Sequence, residues 1–112
     1  MIQNTNNEDV GIIYLKNSNK ARMKIQEREC RKEMRKNGIR VASVFYDIDS
    51  GTPINSGLSA ALQYCEANPV DFVMAYDTDN FGTTEDELSA AYHSFYTKGT
   101  ESLFLYGNWQ LE

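Results

Sequence analysis

VGIIYL, the stretch from Val10 to Leu15, is a short apolar run rich in branched side chains. Runs of this length and composition are typical of a strand that is buried on both faces. Comparable runs follow at VASVFY (Val41 to Tyr46), VDFVMAY (Val70 to Tyr76) and SLFLY (Ser102 to Tyr106). The four runs together predict four strands of one buried sheet.

Helical patterns separate these strands. From about Arg22 to Asn37 the residues are mostly helix formers, and Gly38 follows where a helix commonly ends in the left-handed conformation. Ser56 to Ala67 carries apolar residues at helical spacing. Thr84 and Glu87 form a capping box before a third helix. The order β-α-β-α-β-α-β predicts an α/β protein with three layers, α/β/α, around a mainly parallel four-stranded sheet.

Length and composition predict one domain. The chain has 112 residues, of which 41% are hydrophobic and 12% aromatic, as in an ordinary globular protein with one core. We expect a polar tail at residues 1–9, the α/β domain at 10–107, and at 108–112 either a C-terminal tail or a vector-derived end. The sequence contains neither a membrane-length apolar run nor a signal peptide, which predicts a cytoplasmic protein without membrane contact. Cys30 and Cys65 are expected to be reduced core residues.

Charge is distributed unevenly along the chain. Ten of the eleven Lys and Arg residues fall between Lys16 and Arg40, and this segment carries a net charge of +7. The residues after Arg40 carry −10, and the whole chain carries −5. A basic helix face exposed to solvent explains the pattern most simply. A phosphate-binding patch is the sharper alternative, but the overall negative charge opposes long-range attraction of a polyanion.

Ligands of parallel sheets lie at the carboxyl ends of the strands. That edge is expected to contain residues 16–18, 47–50, 77–81 and 107–109. Asp77 and Asp79, with Asp47 and Asp49 on a neighbouring strand end, could bind magnesium, so a magnesium-dependent phosphotransferase is one alternative. The first strand, however, is followed by KNSN and supplies no acid. We therefore predict no metal and no cofactor.

Five short segments of the sequence together resemble one protein family. They are YLKNS, IQEREC, DIDSGT, NSGL and YDTDNFG, and all lie between Gly11 and Tyr106. Their order and spacing resemble the catalytic domain of the serine recombinases, the resolvase and invertase family. In that family a serine attacks a DNA phosphodiester and forms a 5′-phosphoserine bond, while arginines stabilise the charged phosphate. The resemblance implies a resolvase-like fold and a role in DNA recombination.

The resemblance also assigns individual residues. Ser18 matches the nucleophile, and Lys16 stands where the family has an arginine. Gln26, Asp47 and Asp79 match polar residues of the site. Three further arginine positions of the family are occupied here by Asn55, Asn80 and Thr83.

The replaced arginines predict that catalysis is lost. One preorganised donor to a developing oxyanion is worth about 10²- to 10³-fold in rate, and an arginine finger about 10³- to 10⁵-fold. We therefore expect a degenerate, non-catalytic domain that acts as a binding or regulatory module of a mobile element or phage. Its expected partner is a protein, either a true recombinase or a second copy, with DNA as a weaker candidate and no small-molecule substrate.

Two other functions stay open at this point. A divergent but active site-specific recombinase would still cleave DNA through a phosphoserine at Ser18. A small α/β domain whose sheet edge has no catalytic role would place the function elsewhere.

Overall fold

The computed structural model describes residues 8–49 and 55–106. Four strands alternate with three helices, and a short 3₁₀ turn follows the third strand. In chain order the elements are β1 (Asp9–Asn17), α1 (Lys20–Lys36), β2 (Ile39–Ile48), α2 (Ser56–Ala67), β3 (Phe72–Ala75), the 3₁₀ turn (Thr78–Asn80), α3 (Glu85–Tyr96) and β4 (Glu101–Phe104).

All strand pairs in the sheet are parallel, and the strand order is β2-β1-β3-β4. The side chains of β1 alternate between the faces: Ile12 and Tyr14 point toward α2 and α3, while Ile13 and Leu15 point toward α1. All four side chains are completely buried. The predicted three-layer α/β/α architecture with a four-stranded sheet is therefore confirmed, and every strand pair is parallel.

Most element boundaries follow from local hydrogen bonds. α1 begins two residues before the predicted start because Asn19 Oδ1 accepts a hydrogen bond from the Arg22 N–H at 2.9 Å. α2 has the predicted bounds. The predicted capping box of Thr84 and Glu87 is present. Gly38 ends α1 with a φ of 74°, the left-handed conformation that its missing side chain permits.

Three further sequence predictions concern the cysteines, membrane-spanning helices and the two tails. Cys30 and Cys65 are buried free thiols, as expected. Among residues 8–49 and 55–106, no helix is both long enough and apolar enough to cross a membrane. The predicted tail at 108–112 lies outside the described residues, and β1 already begins at Asp9, the last residue of the predicted N-terminal tail.

Candidate functional site

A polar cleft of about 480 Å³ lies at the carboxyl ends of β1 and β3. Most of its lining residues come from the strand ends, and α1 and α3 complete its walls. It is lined by Lys16, Asn17, Gln26, Asp49, Asp77, Asp79, Asn80, Gly82, Thr83 and Glu87. Three of the five predicted catalytic residues, Lys16, Gln26 and Asp79, line this cleft, together with Asn80 and Thr83, two of the three positions where the resemblance predicts an arginine.

Asn80 joins the two central strand ends. Its side-chain nitrogen donates to the Lys16 carbonyl at 2.9 Å, and its side-chain oxygen accepts from the Asp77 N–H at 2.9 Å. Asp77 in turn accepts from the Asp79 N–H at 2.9 Å and so starts the 3₁₀ turn. Asn80 is buried, and both polar atoms of its side-chain amide bond to backbone groups.

Of the predicted nucleophile, Ser18, and its neighbouring cation, Lys16, only Lys16 lines the cleft. Ser18 is exposed one residue beyond β1 and is not among the cleft-lining residues of the described chain. Lys16 lines the cleft, and its ammonium donates to Asn55 Oδ1 at 3.4 Å. Residue 50 and residues 107–109, which the sequence also assigns to this edge, lie outside the described residues.

Asp47 faces α2 and is not part of the cleft lining. It is only 4% exposed. One carboxylate oxygen accepts from the Gly57 N–H at 2.7 Å, and the other accepts from the Leu58 N–H at 3.0 Å and the Tyr14 hydroxyl at 2.6 Å. Burial, followed by this bond to Asp47, raises the pKa of Tyr14 well above its ordinary value. Asp47 therefore binds the N-terminus of α2 to the sheet.

Gly57 permits this arrangement. A β-carbon at that position would lie 2.1 Å from the Tyr46 carbonyl oxygen and 3.0 Å from the Asp47 carboxyl carbon. Only a residue without a side chain lets the first turn of α2 come so close to the end of β2.

Glu87 is a cleft residue that the sequence analysis identified only as a helix cap. The backbone N–H groups of Thr83 and Thr84 hydrogen-bond to its carboxylate and lower its pKa, so Glu87 is ionised at neutral pH. Gly82 makes room for it, because a β-carbon there would lie 2.3 Å from the Glu87 β-carbon. The G-T-T-x-x-E spacing of residues 82–87 indicates that Glu87 caps the helix. It does not show that Glu87 also faces the strand ends.

The cleft is acidic. Its lining contains four carboxylates, from Asp49, Asp77, Asp79 and Glu87, and one ammonium, from Lys16, which gives a formal charge of −3. Within the described residues, no three His, Cys, Asp or Glu side chains are placed to hold a metal ion together. The magnesium alternative therefore gains no support from this part of the chain.

Three solved structures with a similar fold come from recombinases and an integrase. The C-terminal catalytic domain of ISC1926 TnpA, an IS607-like serine recombinase, is 22% identical with a TM-score of 0.78, over 88% of this chain and 72% of that chain. A resolvase family site-specific recombinase from Streptococcus pneumoniae is 12% identical with a TM-score of 0.76, over 88% and 72%. The N-terminal catalytic domain of TP901-1 integrase is 19% identical with a TM-score of 0.74, over 87% and 77%.

Of two sequence comparisons, the one with protein-family models identifies the family. A search of curated proteins found no match. The family described as "Resolvase, N terminal domain" matches residues 12–108, which includes all four strands and all three helices except the first residues of β1. The chain therefore belongs to the resolvase N-terminal domain family and is a domain of the serine recombinase catalytic type.

Proposed function

We propose that this domain does not cleave DNA and serves as a protein-binding module in DNA recombination. The observation that carries the proposal is the acidity of the cleft, where a family member would need to hold a DNA phosphate. A cytoplasmic location and an origin in a mobile element or phage belong to the same proposal.

Electrostatics oppose a phosphodiester in this cleft. A second anion at about 5 Å from a carboxylate is repelled by about 3 kcal/mol at an effective dielectric constant of about 20. With a formal charge of −3, the cleft would add several kcal/mol to the barrier for forming a pentacoordinate phosphate. Lys16 keeps one positive charge, but an ammonium lacks the planar fork with which arginine binds two phosphate oxygens.

The replaced arginine positions have other uses in this fold. Asn80 holds the backbone of Lys16 and Asp77. Thr83 donates its N–H to the Glu87 carboxylate, next to the capping box that Thr84 and Glu87 form. Asn55 accepts from Lys16 and begins α2 as its N-cap residue. These contacts support a site whose former catalytic positions now stabilise the domain.

An active recombinase is the second candidate. It is favoured by the position of Ser18, which is exposed at the end of β1 and can reach a ligand in solvent. In that case Ser18 Oγ would attack the phosphodiester, the 3′-oxygen would leave, and a 5′-phosphoserine bond would form.

A covalent trap separates the two candidates. The protein is incubated with a nicked suicide oligonucleotide carrying a recombination site, and adducts are detected by denaturing gel and mass spectrometry. We expect no adduct, while an intact serine recombinase traps its own site in parallel.

A Ser18→Ala variant is the matched control. An adduct on the unmodified protein that disappears in Ser18→Ala would overturn the proposal and establish the active alternative. An adduct that persists in Ser18→Ala would reveal a different nucleophile and would equally contradict a non-catalytic domain.

A further inference from the structure

A mostly apolar groove of about 400 Å³ lies between α1 and the end of β2. β2 is an edge strand of the described sheet, so its outer side has no neighbouring strand. Tyr46 and Ile48, near its end, are 43% and 40% exposed and are two of the five large apolar side chains exposed among the described residues. The groove is lined by Lys20, Met23, Lys24, Glu27, Tyr46 and Ile48. A concave apolar surface with a few charged groups has the features of a binding site.

One face of α1 forms the wall opposite β2. Its four lining residues follow the i, i+3, i+4, i+7 spacing that places side chains on one side of a helix. Met23 is buried and lies at the base of the groove. The Tyr46 hydroxyl donates to Glu27 and so ties the strand end to the helix. The groove is therefore formed by a direct contact between two regular elements.

The unbalanced charge of the groove is positive. Its one carboxylate, Glu27, accepts from Arg31 Nε at 2.8 Å in addition to the Tyr46 hydroxyl, so its charge is already paired. The ammonium groups of Lys20 and Lys24 form no salt bridge within the described part of the chain. An anionic ligand in the groove would therefore meet two ammonium groups that have no other partner there.

Helix stability alone does not favour these two lysines. Lys20 and Lys24 are four residues apart, and like charges at this spacing destabilise a helix. Lys20 also lies in the first turn of α1, where the helix dipole disfavours a cation and where the sequence places no acidic residue. Carboxylates from a partner would relieve both effects, which indicates that the lysines serve an interaction.

An acidic protein segment fits the groove better than DNA does. A phosphate backbone would contact the lysines but would offer no apolar side chain to Tyr46 and Ile48. The net charge of −5 on the chain also repels DNA, a dense polyanion, more strongly than a segment with a few charges. A segment with a large apolar side chain beside carboxylates would match both the apolar and the cationic parts of the groove.

We propose that this groove binds an acidic segment of a partner protein. One large apolar side chain of the segment packs against Tyr46 and Ile48, and its carboxylates pair with Lys20 and Lys24. The groove shares no lining residue with the strand-end cleft. The inference extends the protein-binding role proposed above to a surface of its own, and it does not depend on whether Ser18 reacts with DNA.

The test titrates the ¹⁵N-labelled full chain with an acetylated, amidated peptide of sequence Glu-Asp-Leu-Phe-Asp-Glu. Binding is expected to shift the backbone amides of residues 20–27 and 46–48. The peptide Gln-Asn-Leu-Phe-Asn-Gln lacks the charges and is expected to bind at least about threefold more weakly, because two exposed ion pairs are lost. The peptide Glu-Asp-Ala-Ala-Asp-Glu lacks the large apolar side chains and is expected to bind at least about 10-fold more weakly.

Two isoleucine variants test the apolar contact. Ile48→Ala is expected to weaken binding of the acidic peptide about fivefold, because part of the apolar contact area is lost. Ile25→Ala removes another exposed isoleucine, 51% exposed on α1 but outside the groove lining, and is expected to change binding by less than about twofold. A ¹⁵N spectrum of each variant verifies its fold.

Two double variants with the same change of charge test the ion pairs. Lys20→Gln/Lys24→Gln is expected to weaken binding at least about threefold. Lys32→Gln/Lys36→Gln changes two exposed lysines further along α1, outside the groove lining. At about 150 mM salt their charges are screened over this distance, so binding is expected to change by less than about twofold.

Three results would overturn the inference: no shift of these amides with the acidic peptide, equal binding of all three peptides, or equal weakening by the groove variants and their controls. A DNA duplex is titrated in parallel. Binding of DNA to the same amides at lower concentration than the peptide, unaffected by Ile48→Ala, would show a nucleic-acid surface and would also refute the proposal. A covalent Ser18 adduct would refute the non-catalytic function and leave the groove standing, whereas failed peptide binding without an adduct would do the reverse.

Discussion

Asp47→Ala is expected to destabilise the domain strongly, because this carboxylate joins the sheet to α2. The buried side chain accepts three hydrogen bonds, from the Tyr14 hydroxyl and from the N–H groups of Gly57 and Leu58. Removing it takes a cap from α2, which costs about 0.5–2 kcal/mol. It also leaves the buried Tyr14 hydroxyl unpaired, at about 1–3 kcal/mol.

The expected loss is therefore about 1.5–5 kcal/mol of the free energy of unfolding, a large part of the roughly 5–15 kcal/mol typical of a domain. Urea unfolding followed by far-ultraviolet circular dichroism measures it, provided that the slope with urea concentration stays constant. Asp86→Ala is the control, since loss of this exposed first-turn carboxylate is expected to cost less than about 1 kcal/mol.

Two milder variants test the geometry. In Asp47→Asn the amide keeps one oxygen but places an NH₂ donor against a backbone donor, either Gly57 N–H or Leu58 N–H. Tyr14→Phe removes the hydroxyl alone. A double-mutant cycle of these two changes is expected to give a coupling energy of about 0.5–3 kcal/mol. A loss of unfolding free energy below about 1 kcal/mol in Asp47→Ala, or a coupling energy of zero between positions 14 and 47, would refute the conclusion that Asp47 stabilises the fold.

Three further predictions test the site and the core. Gly57→Ala is expected to cost at least about 1–3 kcal/mol, because the new β-carbon meets the Tyr46 carbonyl; an unchanged urea midpoint would contradict this. The lowered pKa of Glu87 means that its stabilising effect is complete above its unfolded pKa of about 4.3 and is lost as the pH falls through the lower folded value. Urea midpoints of the wild type should therefore fall more steeply below about pH 5 than those of Glu87→Gln. Parallel profiles would contradict a stabilising role of the ionised Glu87 side chain. Burial raises the pKa of Cys30 to about 12 and also raises that of Cys65, so iodoacetamide at about pH 8 should leave both thiols of the folded protein intact but alkylate them in urea. Mass spectrometry measures the product, and fast alkylation of the folded protein would oppose this interpretation.

The fold was largely predictable because its signals are local. The apolar runs of β1 and β2 and the helical spacing in α2 each need only a few neighbouring residues to be recognised. The end of β3 was predicted too late, at Tyr76, because the cap that Asp77 makes for the 3₁₀ turn competes with continuation of the strand. Asn19 was also overlooked as the cap of α1, although asparagine before a helical pattern is a recognised start signal.

The site was predictable in position but not in detail. Lys16 and Asp79 were expected at one sheet edge, and the parallel topology brings them there. Gln26, on α1, was expected in the site only from the resemblance. The direction of Asp47 was not predictable, because it depends on how closely Gly57 lets α2 approach the sheet. Catalytic roles for these residues stay predictions, since contacts within the folded chain do not measure reaction rates.

The two hydrogen bonds of Asn80 limit which residues its position can accept. Its amide serves as donor to the Lys16 carbonyl and as acceptor for the Asp77 N–H, and the two strand ends depend on both. Arginine has five donors but no acceptor, so Asn80→Arg would leave the Asp77 N–H without its bond. Asn80→Arg, which introduces the residue that the resemblance predicts at this position, is therefore expected to weaken the fold. An arginine at this position would therefore need a second, compensating change that gives the Asp77 N–H a new acceptor.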